Sequence, residues 1–181
     1  MMKKNGLFPG VSFVLACLMS ASALAAPAEK AAPAPTKVED FKGTPLDSEF
    51  TLGGMAGVGQ VSDNAGFTIY GTAAKKIVHH GFVPDINNQV FLEAAVGPWL
   101  KPGSSAFIYS LHLRWDFQKD SEWTLYSITG LGGYFTGQSM GNSTVLYPRF
   151  GAGAFWRIDT GLKIRMEISH EFIGVGVSFH L

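Results

Sequence analysis

The chain has 181 residues, 14 of them basic and 14 acidic, so no net charge draws it toward nucleic acid. Charged residues make up 15%, against about 25% in soluble domains. Glycine is abundant at 22 residues, and Cys17 is the one cysteine, which excludes an intrachain disulfide.

The N-terminus reads as a secretory signal. Lys3 and Lys4 form a charged start, residues 7–19 are mostly apolar, and Ala23-Leu24-Ala25 is an A-x-A cleavage site. A signal peptide over 1–25 is therefore expected, and its removal takes Cys17 with it. Residues 26–48 are rich in Ala, Pro, Lys and Glu without apolar periodicity, the composition of a flexible segment. The domain is expected over 49–181.

From residue 49 onward no apolar stripe keeps the 3.6-residue helical period for three turns. Short segments that alternate with a period of two recur instead, and that is a strand period. Eight are expected, at 50–61, 66–77, 89–97, 106–117, 122–135, 145–158, 162–169 and 173–181. Each is close to the nine to eleven residues with which a tilted strand crosses a bilayer. The clearest is 107–117. Phe107, Tyr109, Leu111, Leu113, Trp115 and Phe117 share one face, and Ser110, His112, Arg114 and Asp116 share the other. In the third segment Val90, Leu92, Ala94 and Val96 oppose Phe91, Glu93 and Ala95. In the sixth, Phe150, Ala152, Ala154 and Trp156 oppose Arg149, Gly151, Gly153 and Arg157. In the seventh, Leu162, Ile164, Met166 and Ile168 oppose Lys163, Arg165, Glu167 and Ser169. The fifth has no clean face. A membrane barrel turns apolar side chains to lipid and polar ones inward, and an even strand count lets the sheet close without edges. The expected fold is all-β: a closed, antiparallel, up-and-down transmembrane β-barrel of about eight strands.

Two connections fix register. Asp159-Thr160-Gly161 between Ile158 and Leu162 predicts a three-residue hairpin loop with Gly161 in the left-handed conformation. Pairing Ile158 with Leu162 sets Arg157 opposite Lys163, Gly153 opposite Glu167 and Arg149 opposite Glu171. The connection over 98–105, centred near Pro102, brings Glu93 toward Arg114. Gly130–Gly133 is expected to make room for Arg and Tyr side chains across the lumen.

With its signal sequence, eight alternating segments and closing Val175, Val177, Phe179 and Leu181, the chain resembles the small outer-membrane barrels of Gram-negative bacteria, the OmpA membrane domain and OmpX among them. The resemblance spans 49–181. It implies residence in the outer membrane with the N-terminal segment in the periplasm. It also implies contact with outer-membrane lipid and lipopolysaccharide, and delivery by the barrel-assembly machinery through the last strand. A monomer is expected, with no nucleic-acid partner. Residues 137–144 fit an external loop. Residues 78–88 are long for a periplasmic turn.

Eight strands enclose a space just wide enough for side chains to fill, and buried charges must pair. A lumen charge network is therefore expected among Glu93, His112, Arg114, Arg149, Arg165, Glu167 and Glu171, with Tyr126 beside it. Trp and Tyr favour membrane interfaces. Trp115, Phe117, Trp123 and Trp156 should form an outer girdle at the periplasmic rim, and Phe107, Tyr109 and Phe135 one at the other rim. His79-His80 with Asp85 lacks the spacing of a metal site, and no metal or cofactor is expected. Ser169, His170, Glu167 and Glu171 are the ingredients of a hydrolase, a chemistry found in barrels that deacylate lipid A. In a regular strand Ser169 and His170 point to opposite faces, so His170 could not activate Ser169. The expected role is structural or surface-interacting, with a side-chain-filled lumen. A narrow porin-like channel and a lipid A-modifying hydrolase are the alternatives.

Overall fold

A computed structural model describes residues 48–79, 81–83, 87–137 and 143–181. The signal peptide, the segment at 26–47, His80, Asp85 and the core of the 137–144 loop lie outside the described residues.

Among the described residues eight strands follow one another without a helix: β1 (Phe50–Val61), β2 (Asn64–Val78), β3 (Asn88–Lys101), β4 (Ser104–Gln118), β5 (Trp123–Thr136), β6 (Thr144–Arg157), β7 (Leu162–Ser169) and β8 (Phe172–His180). Each pairs antiparallel with its neighbour in sequence, and β8 returns to β1 to close the barrel. Closure is in register from Thr51↔His180 to Gly59↔Phe172. The periodicity of two does the rest: every second side chain enters the barrel and its neighbours point out. One rim carries the start of β1, the end of β8 and the β2–β3, β4–β5 and β6–β7 connections. It is called the termini rim below, and the opposite end the far rim.

The hairpins show how local chemistry sets the ladder. Between β6 and β7, Arg157 faces Lys163 and Gly153 faces Glu167, the register that the parity of the two strands demands. Gly161, however, does not adopt a positive φ. Its carbonyl accepts from the His180 amide at 2.9 Å, which ties it to β8. The Leu162 carbonyl closes the turn, accepting from the Ile158 amide at 3.0 Å and the Asp159 amide at 3.2 Å, and the Asp159 side chain accepts from the Thr160 amide at 2.7 Å and hydroxyl at 3.0 Å. Positive φ is found at Gly103 (76°), Ser62 (47°) and Asp63 (62°).

The 98–105 connection is shorter than the sequence implied. β3 and β4 stay paired through Pro98↔Phe107 to Lys101↔Ser104, so only Pro102 and Gly103 turn. On the other side of β3 the ladder with β2 is interrupted between Thr68↔Trp99 and Gly71↔Val96. That gap faces Pro98, whose nitrogen has no hydrogen to donate.

The faces are inverted relative to a soluble sandwich. Leu92, Val96, Leu111, Leu113, Leu131, Phe150, Ile168, Val175 and Phe179 are all exposed, whereas Glu93, Arg114, Arg149 and Arg165 have essentially no exposed surface. The fifth strand resolves its ambiguity in favour of Tyr126, Ile128 and Tyr134 inside. Its glycines make room for tyrosine as expected, and Gly130 stands opposite Arg149 in the ladder. A Cβ at Gly130 would meet His112, at Gly132 the Tyr147 ring, and at Gly133 the Tyr109 ring. The arginines reach across the lumen from β4, β6 and β7.

Candidate functional site

The lumen is built in three layers. Toward the far rim lies an apolar cluster of Met55, Val61, Tyr70, Trp99, Ile108, Tyr134 and Phe172, with Val145 and Tyr147 packed against it. Trp99 is fully buried and donates Nε1–H to the Gly59 carbonyl at 3.0 Å. It lies where Gly66, facing it from β2, has no side chain to displace it. Tyr70 and Phe172 meet edge to face at 5.1 Å. The space around Trp99 and Tyr70 holds about 0 Å³, too little for a water molecule.

The middle layer is a continuous chain of alternating charge. Asp116 Oδ1 accepts from Arg114 Nε at 2.8 Å and Oδ2 from Nη2 at 3.2 Å. Arg114 Nη1 also pairs with Glu93 Oε2. Glu93 Oε1 accepts from Arg165 Nη2 at 2.7 Å, and the same nitrogen reaches Glu167 Oε2 at 2.7 Å. Arg149 Nη2 donates to Glu167 Oε1 at 2.6 Å, and Arg149 Nε lies 3.0 Å from Glu171 Oε1. That last contact is an ion pair outside hydrogen-bonding geometry, since neither atom counts as hydrogen-bonded. Signs run minus, plus, minus, plus, minus, plus, minus from Asp116 to Glu171. Each guanidinium thus touches two carboxylates, the arrangement that makes burial of charge tolerable.

Neutral groups stitch this chain together. Tyr126 accepts from Arg165 Nε at 3.0 Å and donates to the Met166 carbonyl at 3.0 Å and Glu167 Oε2 at 3.1 Å. Its ring has space because Gly153 stands opposite; a Cβ there would collide with the ring and with the Met166 carbonyl. His112 Nε2–H donates to Glu93 Oε1 at 3.2 Å. Its Nδ1 accepts from Ser110 Oγ at 3.3 Å, and Ser110 in turn accepts from Arg149 Nη1 at 2.7 Å. This tautomer is assigned from the network: a carboxylate can only accept, and a hydroxyl that accepts from Arg149 has its hydrogen free for His112.

Aromatic faces cover the remaining guanidinium surface. Arg114 sits over Phe91 at 4.5 Å and Phe155 at 4.9 Å, Arg149 over Tyr70 at 5.0 Å, and Arg165 over Tyr126 at 5.0 Å and Phe155 at 5.5 Å. Phe155, fully buried, is the ring shared by two arginines. Sequence reasoning did not single it out, although it has the parity of Arg149 and Arg157 on β6.

The third layer, at the termini rim, is a polar recess of about 30 Å³ lined by Gln89, Asp116, Gln118, Arg157, Lys163 and His180 among others. Its floor is the Asp116–Arg114 pair.

The aromatic residues expected outside are all on the outer face, in two groups. Near the termini rim Trp123 and Trp156 stack at 6.1 Å, and Trp115 packs on Phe117 at 4.8 Å. Toward the far rim Tyr109 stacks on Phe135 at 4.9 Å, and Phe107 pairs with Phe135 across the ladder. The long 78–88 connection contributes a further ring: Phe82, 74% exposed, meets Trp115 edge to face at 5.7 Å. Asn88 ties the two together, donating to the Val83 carbonyl at 2.8 Å and accepting from Trp115 Nε1 at 2.9 Å.

The hydrolase ingredients do not converge. His170 Nδ1 lies 2.8 Å from Glu171 Oε2, but the Ser169 hydroxyl donates to the Phe172 carbonyl at 3.3 Å, and His170 packs against Tyr147 and Phe150. His79 lies 3.4 Å from Glu49 at the exposed termini rim. Among the described residues no group of His, Cys, Asp or Glu could hold a metal ion.

No protein-family model matches the chain, and no curated protein sequence matches it. Similarity is found among solved structures. A de novo designed transmembrane β-barrel superposes with a TM-score of 0.51 at 16% identity, covering 73% of this chain and 94% of the design. Ail, the attachment invasion locus protein of Yersinia pestis, solved in complex with the heparin analogue sucrose octasulfate, gives 0.49 at 12% identity over 74% of this chain and 97% of Ail. Neisserial surface protein A gives 0.48 at 10% identity over 73% and 96%. The fold is thus that of a small, closed eight-stranded transmembrane β-barrel.

Proposed function

We propose that the protein is a resident of the bacterial outer membrane, reached by way of a cleaved signal peptide over 1–25. Its role is structural or surface-interacting, and it is not a channel or an enzyme. In this reading the apolar outer face lies in lipid and the two aromatic groups sit at its interfaces. The termini rim faces the periplasm, lipopolysaccharide surrounds the far rim, and the last strand is read by the barrel-assembly machinery. The observation that carries the proposal is the inversion of the two faces around a filled lumen. Exposed Leu, Val, Ile and Phe surround an interior in which three buried arginines are each held by two carboxylates. Water would leave that outer face without a partner, and lipid supplies one. The seal argues for structure over transport, because the ion-paired layer and the Trp99 cluster both lie across the path.

The purified protein, folded in detergent, is expected to migrate faster in SDS gels before boiling than after. Reconstituted into planar bilayers it is expected to show no stable conductance. Stable ohmic steps, abolished by boiling the sample beforehand, would replace this reading with a narrow channel.

A further inference from the structure

The charged interior does not balance along the barrel axis. The alternating chain joins three arginines to four carboxylates, and Arg157 and Lys163 stand outside it at the termini rim. They face each other directly across the β6–β7 ladder, on the inward face, where like charges repel. Lys163 is more than nine-tenths buried, lines the recess, and rests its ammonium over the Phe155 ring at 5.7 Å. The Nε of Arg157 is buried without a hydrogen-bond partner. Asp116, which lines the recess, brings a single negative charge that is already paired with Arg114, too little to balance both cations. Among the described residues no other carboxylate lines this recess. The remaining polar lining is neutral and partly engaged, with Asn87 Nδ2 donating to Gln118 Oε1 at 3.1 Å.

Two cations held face to face in a polar recess form a receptor for a group that carries negative charge and several acceptor oxygens. A guanidinium donates in a fork and an ammonium acts as a point charge, a combination suited to a tetrahedral oxyanion. The recess is a dead end. Behind it lie the ion-paired layer and the close-packed Trp99 cluster, so a ligand can enter and leave only through the termini rim.

We propose that this recess is an oxyanion-binding site, in which Arg157 and Lys163 share a phosphate-type group presented at the termini rim. The shared chemistry fits free phosphate and also a phosphomonoester lipid headgroup folded in from the adjacent leaflet. The inference uses only the barrel geometry and stands apart from the structural role proposed above.

The test is a titration of the full chain, folded in an uncharged, phosphate-free detergent, with inorganic phosphate at constant ionic strength and chloride as the control. Amide resonances of residues 89, 157 and 163 are followed by NMR. Saturable shifts with phosphate and none with chloride are expected. Arg157→Gln or Lys163→Gln should weaken the apparent affinity roughly tenfold or more, the scale of one lost charge-assisted hydrogen bond. Lys119→Gln, at an exposed side chain on the same rim, should leave it unchanged. Replacing Lys163 relieves a like-charge pair, so this variant should fold; its unboiled gel mobility checks that. Phosphate should also raise the urea midpoint of the wild type and not of Lys163→Gln. The source is separated in phosphate-free nanodiscs. Shifts at 157 and 163 with phosphatidic acid but not with neutral lipid assign a headgroup, and shifts only on adding inorganic phosphate assign a free anion. No saturable shift from either source, or phosphate binding of undiminished affinity in both glutamine variants, overturns the proposal.

Discussion

Arg114 shows how one residue can hold the interior together. It has no exposed surface, two carboxylate partners, Glu93 and Asp116, and two aromatic rings against its guanidinium faces. Removing it leaves Asp116 buried without its ion-pair partner and takes one of two cations from Glu93, at a cost of about 3–5 kcal/mol. Leu111, on the outer face of the same strand and 56% exposed, loses only contact with lipid or detergent. Arg114→Ala is therefore expected to unfold at clearly lower urea than Leu111→Ala in the same detergent. Coincident midpoints would mean that Arg114 does not lie in a paired network. At this scale the sequence was partly legible. Alternation along β3, β4 and β7 places Glu93, His112, Arg114, Arg165 and Glu167 on one face, because strand periodicity is local. The bond from Arg165 to Glu93 joins β7 to β3 across the lumen, and no spacing along the chain encodes it. Phe155, Tyr70 and Trp99 were missed for a related reason. Large apolar residues at inward positions look like breaks in the alternation until the cations and glycines that accommodate them are known.

At the scale of the elements, the turns divide into those that follow simple chemistry and those that strain against it. The β1–β2 hairpin turns on Ser62 and Asp63, both with positive φ. Two-residue hairpins favour this geometry but prefer Asn-Gly for it. Ser62 is retained by its hydroxyl, 2.9 Å from Tyr134 Oη. Asp63→Gly should therefore stabilise the barrel by about 0.5–1 kcal/mol, the relief of left-handed strain less the added freedom of the unfolded chain. Urea titration checks the sign, and a lower midpoint would contradict it. In the β4–β5 turn Asp120 Oδ1 accepts from the amides of Trp123 at 2.7 Å and Glu122 at 2.9 Å. Those donors, Trp123 first, hold its carboxyl below the ordinary aspartate range. A depressed folded value means that the turn is supported above the unfolded value and loses that support as pH falls through the folded one. The Trp123 and Glu122 amide resonances should titrate with a midpoint below that of a free aspartate, and Asp120→Asn should abolish the titration. Strand existence was the most legible feature of all. The first and seventh segments have the expected bounds, and most others differ by a residue or two at their ends. The larger misses lie where turn geometry decides. β3 runs on to Lys101, because Pro98 is tolerated beside a gap in the β2–β3 ladder, and Gly161 is bonded to β8 rather than turned to positive φ.

In the whole molecule, each tryptophan ring occupies one side of the barrel wall. The chain has four tryptophans. Trp99 is 0% exposed inside the barrel, while Trp156 is 43% exposed on the outer face. In a barrel that is inside out relative to a water-soluble protein, Trp156 meets lipid and Trp99 does not. Variants that keep one of these tryptophans, with the other three replaced by phenylalanine, report on each side separately. Folded as judged by unboiled gel mobility, they would be reconstituted into bilayers containing brominated lipid, which quenches indole fluorescence on contact. Strong quenching of Trp156 with little quenching of Trp99 is the predicted result; quenching of Trp99 that matches or exceeds that of Trp156 would contradict the inverted barrel.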